Sequence, residues 1–371
     1  LRRLRTASLV AASTIVFSCH TTTPQPIRLD AELESIRVSS RPPGLAASIR
    51  RANAAIASGA AGVRRLGGRP VGPDDAFHIG SVTKPFTATL AGILVAEGRL
   101  TWETKLSDVL PELRAAMRSE YADVTLADLL SHESGLPPFE EDHELAGLRF
   151  DGPPMEQRRA FVRHVVGLAP AVPRGTFRYS NAGFTAAAVM VETIEGRSWE
   201  ELIERRIARP LGLKSLGFGW PARRDPNQPW GHQESAEGQL EPHDPNGEYQ
   251  LPPILAPAGN LHMSMEDLAL FLADHLRALR GERALLPPAV ARTMHTPRAK
   301  SGLGFGVGKV GNIEPVSTFA GSAGTFLALI AIAPEHDVAV AVAANAADGQ
   351  SDAALKSALK QFLQRFAAKQ P

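Results

Sequence analysis

A chain of 371 residues, 44% apolar and 21% charged, is globular and long enough for one large domain or two moderate ones. A formal net charge of +1 gives no field that would draw nucleic acid or an anionic membrane. No Cys/His cluster has metal-site spacing and no glycine-rich phosphate loop follows a strand pattern, so neither a metal nor a cofactor is expected.

Residues 1–18 read as an export signal: LRRLR is basic, and ASLVAASTIVFS is apolar but too short to cross a bilayer. The single cysteine, Cys19, follows at once, and Val16, Phe17, Ser18 and Cys19 resemble the cleavage box of bacterial lipoproteins. The expectation is an exported chain, periplasmic or membrane-anchored, whose only membrane contact is a lipid on Cys19. The alternative is a plain secretory signal with an incidental cysteine. One cysteine leaves no intramolecular disulfide. Residues 19–30, with two prolines among polar side chains, read as a tether.

A helix is expected around Ala31 to Arg37, and two short apolar runs in LAASIRRANAAIASGAAGVRRLGG read as a strand pair. Next comes HIGSVTKPF, His78 to Phe86. Ser81 and Lys84 stand three apart at the start of a helical pattern, which puts a hydroxyl and an amine on one face. That is a nucleophile beside its own base, provided that burial or nearby cations depress the lysine. Phe86, Leu90, Ile93 and Leu94 repeat at helical spacing and put one face in a core, Pro85 falls in the first turn, and Gly98 ends the helix. The SxxK pattern alone assigns nothing: composition predicts it roughly 0.5 times, and it recurs at Ser357 and Lys360 in an amphipathic C-terminal helix.

From 99 to 256 the chain reads as helical and loop-rich. Thr125 and Asp128 cap LADLL, EQRRAFVRHVVGL is amphipathic, FTAAAVMVETIEG stops at Gly196, and Ser198 and Glu201 cap the next helix. FRYSNAGF places Tyr179, Ser180 and Asn181 just before a helix, a YxN pattern expected by chance about once in twenty such chains. A phenol beside a lysine passes protons, and a carboxamide both orients the lysine and donates to a substrate carbonyl. The competing reading makes Asn181 the helix cap. Pro221 to Pro257, rich in Pro, Gly and Asn, reads as a long surface excursion. LGFGVGKV, FLALIAIA and VAVAVAA are near-continuous apolar runs, the pattern of strands covered on both faces, and a helix from Ser351 to Ala368 closes the chain on the sheet. Strands at both ends with helices between them imply one α/β (α+β) body over 31–371, with a sheet subdomain from 31–98 and 257–371 and a helical subdomain from 99–256.

SxxK followed nearly a hundred residues later by YxN resembles the penicillin-recognising serine hydrolases of the class C β-lactamase type. The likeness runs through LADLLSHESGLP, FRYSNAGF, AGNLHMSMEDLALFL and GLGFGV, in family order, from Gly44 to Phe366. It implies a β-lactamase/transpeptidase-like fold, a mainly antiparallel sheet flanked by helices plus an all-helical region. It further implies that Ser81 is acylated, that Lys84 is its base, and that Tyr179 carries the proton to the leaving group and activates water. Asn181 would hold the substrate carbonyl side, and the backbone amides of Ser81 and Ser322 would form the oxyanion hole.

The family's third motif, a Lys or His, a small residue and Gly, maps onto Phe319, Ala320 and Gly321. A phenyl ring binds no carboxylate, so the resemblance leans toward an esterase on a small-molecule or peptide substrate, unless Phe319 packs in the core and an arginine from the long loop supplies the charge. The alternatives are a true β-lactamase or D-Ala-D-Ala carboxypeptidase, and a catalytically weak penicillin-binding sensor. His132 reads as a loop-holding residue, and His78 and His262 as wall residues. No GxSxG surrounds Ser81, so an α/β-hydrolase triad is not expected.

Overall fold

The last two apolar runs form the middle of a seven-stranded sheet in the computed structural model, which describes residues 25–247 and 249–367. Val338–Ala344 (β12) alternates valine and alanine and is buried on both faces. Val338, Val340 and Val342 face the closing helix Gly349–Ala367, while Ala339, Ala341 and Ala343 face the main core. Each buried valine contributes about 1.5–3 kcal/mol. The alanines leave room for the helix Met265–Leu279 to lie close against the strand.

Around β12 the other strands are Ile27–Arg28 (β1), Gly44–Arg50 (β2), Ala55–Gly62 (β3), Gly306–Val310 (β9), Ile313–Ser322 (β10) and Leu327–Ala333 (β11). Their order is β1-β3-β2-β12-β11-β10-β9, with every neighbouring pair antiparallel except β1 beside β3. The strands numbered β4 to β8 lie between β3 and β9 in the chain, as Ala76–His78, Gly217–Phe218, His232–Glu234, Leu240–Pro242 and Leu261–Ser264, and pair apart from this sheet.

The helix at Thr83–Ala96 (α2, after Asp30–Ser40 as α1) departs from a helix with one apolar face, because every residue from Thr83 to Leu94 is buried. Its polar members are satisfied internally: Thr87 Oγ1 donates to Pro257 O at 2.7 Å and Thr89 Oγ1 to Pro85 O at 2.7 Å. Phe86 stacks on Phe271 at 3.7 Å between centroids. One cluster of apolar side chains runs from Ile330 on the sheet through Phe86 and Leu90 to Leu129 and Phe184 in the helical region, so both regions share a core.

Two expectations need correction. The tether is not free up to residue 30: Leu29 is buried, its N–H bonds Ser58 O at 3.0 Å, and Ile27–Arg28 pairs with β3. The buried leucine and these backbone bonds, with Asp30 Oδ1 accepting the Ala60 N–H at 2.9 Å, dock this segment on the sheet edge. The excursion from Pro221 to Pro257 is likewise structured. It holds a short helix at Pro221–Arg224 and the β6–β7 hairpin, pinned by buried His232, whose Nδ1 meets Asn345 O at 2.8 Å. The proposed leader, Cys19 and the first part of the tether lie outside the described residues.

Candidate active site

Ser81 sits on a 3-10 turn, Gly80–Val82, that runs straight into α2. The turn touches the end of β10 backbone to backbone, and two glycines make the contact possible. Gly80 has φ +50°, and a Cβ on it would fall 2.7 Å from Ser322 N. A Cβ on Gly321 would fall 2.8 Å from Ser81 N, 2.7 Å from Val82 N and closer still to Ile79 O. Ala323 N donates to Phe326 O at 3.1 Å, which makes those two residues a bonded pair. Antiparallel alternation then turns the Ser322 N–H away from β11, toward the edge of β10 that β9 leaves uncovered beyond Thr318.

Lys84, one turn on, is fully buried. Its Nζ lies 3.0 Å from Ser81 Oγ, 2.7 Å from Asn181 Oδ1 and 2.8 Å from Ala258 O. Burial holds its pKa well below the usual lysine range, opposed by the charge of Glu140. A neutral amine has two N–H groups and a lone pair. The two N–H groups match the two obligate acceptors, Asn181 Oδ1 and Ala258 O, and the lone pair is left for the Ser81 hydroxyl.

Tyr179 completes the arrangement: its hydroxyl donates to Ser81 Oγ at 2.7 Å. Burial pushes the phenol above its ordinary value, with the bond to Ser81 opposing, so the group is a proton donor rather than a phenolate. Its ring stacks on His132 at 4.5 Å, and Lys84 Nζ lies 4.7 Å from its centroid. His132 adopts a left-handed φ of 63° and accepts the Ser180 N–H on Nδ1 at 3.1 Å, and burial lowers its pKa to about 3. A neutral ring with that hydrogen bond supports Tyr179 without titrating near neutrality.

Asn181 is not the helix cap. Ser180 takes that role, its Oγ accepting from Gly183 N at 3.1 Å at the start of the helix Asn181–Glu195. The carboxamide is thereby left to bridge Lys84 and the 137–140 segment, donating from Nδ2 to Phe139 O at 2.7 Å. His78 precedes the nucleophile turn and accepts the Gly80 N–H on Nδ1 at 3.1 Å; burial first, then His262, lower it to about 3. His262 meets Gly219 O at 2.7 Å.

These groups open into a cavity of about 480 Å³. Ser81, Tyr179, Asn181, Gly321 and Ser322 line it, together with Phe139, Leu251 and Leu255. Trp220, buried, and Tyr249, exposed, line it as well and meet edge to face at 5.8 Å. Phe319 is not among the lining residues. It pairs with Ile330 in register and packs, half-buried, against the same core. Ala320, the next residue along the strand, reaches the cavity instead. Sequence reasoning missed Ala258, whose role is a backbone carbonyl with no side-chain signature, and also Glu140, Trp220 and Tyr249. The two aromatics had a signal, as the bulky apolar residues in and beside a polar excursion.

A helix-covered sheet whose β10 end abuts a serine-bearing helix, with a helical region closing over the junction, defines the β-lactamase/transpeptidase-like fold. The chain belongs to the beta-lactamase family, whose model matches residues 29–364. It is similar to penicillin-binding protein 4 of Amycolatopsis lactamdurans, 35% identical over 156 residues, 42% of this chain and 39% of that one. It is similar to esterase EstB of Burkholderia gladioli, 29% identical over 204 residues, 52% of this chain and 51% of that one. The matched stretches thus span two fifths to half the length of these two relatives. Among solved structures it is similar to the octameric penicillin-binding protein homologue from Pyrococcus abyssi, with TM-score 0.73 and 25% identity over 90% of this chain and 77% of that one.

Proposed function

We propose that the chain is an exported serine hydrolase that cleaves ester or amide bonds through an acyl-enzyme on Ser81, with a leaning toward esters. The observation that carries this is the convergence on Ser81 Oγ of a depressed lysine at 3.0 Å and a phenolic donor at 2.7 Å. Neutral Lys84 takes the hydroxyl proton as Oγ attacks the substrate carbonyl carbon. The Ser81 and Ser322 amides receive the developing oxyanion. The bond to the leaving group breaks as Tyr179 gives that group its proton, and the Lys84 ammonium replaces the proton on Tyr179. Water then enters where the leaving group stood and attacks the acyl carbonyl, its proton passing to neutral Lys84 and from there to Ser81 Oγ as the acyl bond to the serine breaks and the acid leaves.

The ester leaning is supported by the likeness to EstB and by the absence of any lysine or arginine among the described residues lining the cavity. Both β-lactams and peptide C-termini carry a carboxylate that such a wall does not bind. Incubation with nitrophenyl acetate and with a chromogenic cephalosporin, followed by intact mass, tests the proposal. Release of nitrophenolate with a transient acetyl adduct on the Ser81 peptide, lost in Ser81→Ala, is expected. Absence of both release and adduct in the unmodified protein overturns it.

A further inference from the structure

Two successive carbonyls of the cavity wall take their hydrogen bonds from two side chains of α2, and the reaction uses only one of those side chains. The wall segment is a 3-10 turn, Pro253–Leu255, running into a four-residue helix, Ala256–Gly259, and Leu255, Ala258 and Gly259 line the cavity. So short a helix satisfies few of its own carbonyls. Asn260 N closes on Ala256 O at 3.1 Å, and the next two carbonyls turn to α2. Thr87 Oγ1 donates to Pro257 O at 2.7 Å, and Lys84 Nζ lies 2.8 Å from Ala258 O.

The spacing explains this register. Thr87 stands three residues after Lys84, on the same helix face, and both side chains are buried. The threonine hydroxyl is itself oriented. The fully buried Trp199 donates from Nε1 to Thr87 Oγ1 at 3.0 Å, which occupies a lone pair and leaves the hydroxyl hydrogen for Pro257 O. Upstream, Arg158 Nη1 donates to Pro253 O at 3.2 Å and Thr185 Oγ1 to Ile254 O at 2.7 Å, so those anchors fix where the segment enters. Thr87 fixes the peptide next to the one that Lys84 touches. Pro257 C=O and Ala258 N share one planar unit, so holding that carbonyl leaves the Ala258 carbonyl only two dihedrals by which to turn. Released from Thr87, the Ala258 carbonyl no longer pins one N–H of the amine, and the lone pair loses its aim on the Ser81 hydroxyl.

We propose that Thr87 is a positioning residue for the general base: by holding the Pro257 carbonyl it sets the Ala258 carbonyl on Lys84 and keeps the amine lone pair directed at Ser81 Oγ. The consequence for rate rests on the hydrolase reading, whereas the geometry is measurable without turnover.

Thr87→Val keeps the shape and removes the hydroxyl, while Thr87→Ser keeps the hydroxyl. Thr89→Val is the control for losing a buried hydroxyl from the same helix, because Thr89 donates to Pro85 O at 2.7 Å, meets His275 Nε2 at 2.9 Å and bonds neither acceptor of Lys84. The acylation rate, read as the nitrophenolate burst at saturating nitrophenyl acetate, should fall about ten- to a hundredfold in Thr87→Val, with the half-saturating concentration unchanged within about twofold. Thr87→Ser and Thr89→Val should acylate near the parental rate, even where their melting temperatures fall. Thr87→Ala takes the place of the valine variant if that one does not fold.

Crystal structures of the parent and of Thr87→Val read the geometry directly, and the distance from Lys84 Nζ to Ala258 O should lengthen beyond about 3.5 Å in the variant. A parental rate in Thr87→Val, a serine variant as slow as the valine one, a Thr89→Val variant equally slow, or an unchanged distance overturns the assignment. A parent that forms no acyl-enzyme, with a distance that still depends on the Thr87 hydroxyl, would sink the hydrolase proposal and keep this one.

Discussion

Asn181 Oδ1 lies 2.7 Å from Lys84 Nζ, so the residue that opens one helix holds the base that stands in the first turn of another. The lysine is fixed between that carboxamide and the Ala258 carbonyl. Its third direction is the serine. This fixes the protonation state that the site needs, and several outcomes follow from it.

Activity on a neutral ester should rise with pH through a midpoint far below the ordinary lysine value of 10.5, because burial favours the neutral base. No fall should follow near the ordinary phenol value of 10.0, since Tyr179 is pushed upward and keeps its proton. Stability carries the same sign. Lys84 is protonated in the unfolded chain and neutral in the folded one between its depressed value and 10.5, so unfolding takes up a proton there. Stability therefore increases with pH across that window, by about 1.4 kcal/mol per pH unit from this group, and is lost as pH falls toward the folded value. Urea titrations from pH 7 to 9 on the parent and on Lys84→Met check it, the variant having the shallower dependence.

Tyr179→Phe keeps the stack on His132 and removes only the hydroxyl 2.7 Å from Ser81 Oγ. Turnover should fall by about 10²–10⁴ for amides and alkyl esters, which need a proton on the leaving atom. Nitrophenyl esters, whose leaving group departs as an anion, should suffer less. A uniform loss across leaving groups, measured as kcat, would move the donor elsewhere.

Gly321→Ala places a methyl group against Ile79 O and the Ser81 and Val82 amides, forcing the nucleophile turn and β10 apart. A destabilisation of about 1–3 kcal/mol is expected. Activity should fall by about a hundredfold or more if the parted amides serve the oxyanion. Thermal melting and kcat on the purified variant report the two effects, and an intact kcat would show that Ser322 N–H is dispensable.

Cys19 is expected to carry lipid. Expression in a bacterial host should give a membrane-fractionating protein whose mature mass begins at Cys19 plus acyl chains, while Cys19→Ala should appear in soluble fractions. An unlipidated mature chain would leave only a secretory signal.

Much of this was legible in the chain because the decisive pairs are local. Ser81 and Lys84 share a helical face by their spacing, and Tyr179 and Asn181 share a turn. The covered strands β11 and β12 were equally plain, since an unbroken apolar run admits no solvent face. What escaped was what backbone atoms do. The Ala258 carbonyl, the strained φ of Phe139 and the close contact at Gly80 arise only when distant segments meet. Phe319 was open between lining the cavity and packing in the core for a related reason: a motif position gives a residue its place on a strand but not the neighbours that take up its side chain. Asn181 was open between cap and ligand, and the hydroxyl of Ser180 settled it.

The enclosure of Thr83–Leu94 on every side has a consequence for how this scaffold could be diversified. Amide exchange there should be among the slowest in the molecule, opening only with the whole fold, which makes the catalytic floor a fixed foundation. New selectivity would have to come from the wall that Trp220 and Tyr249 form in and beside the segment that His232 anchors. Grafting that segment between relatives is the economical route to a changed substrate range, and redesign of the floor is not.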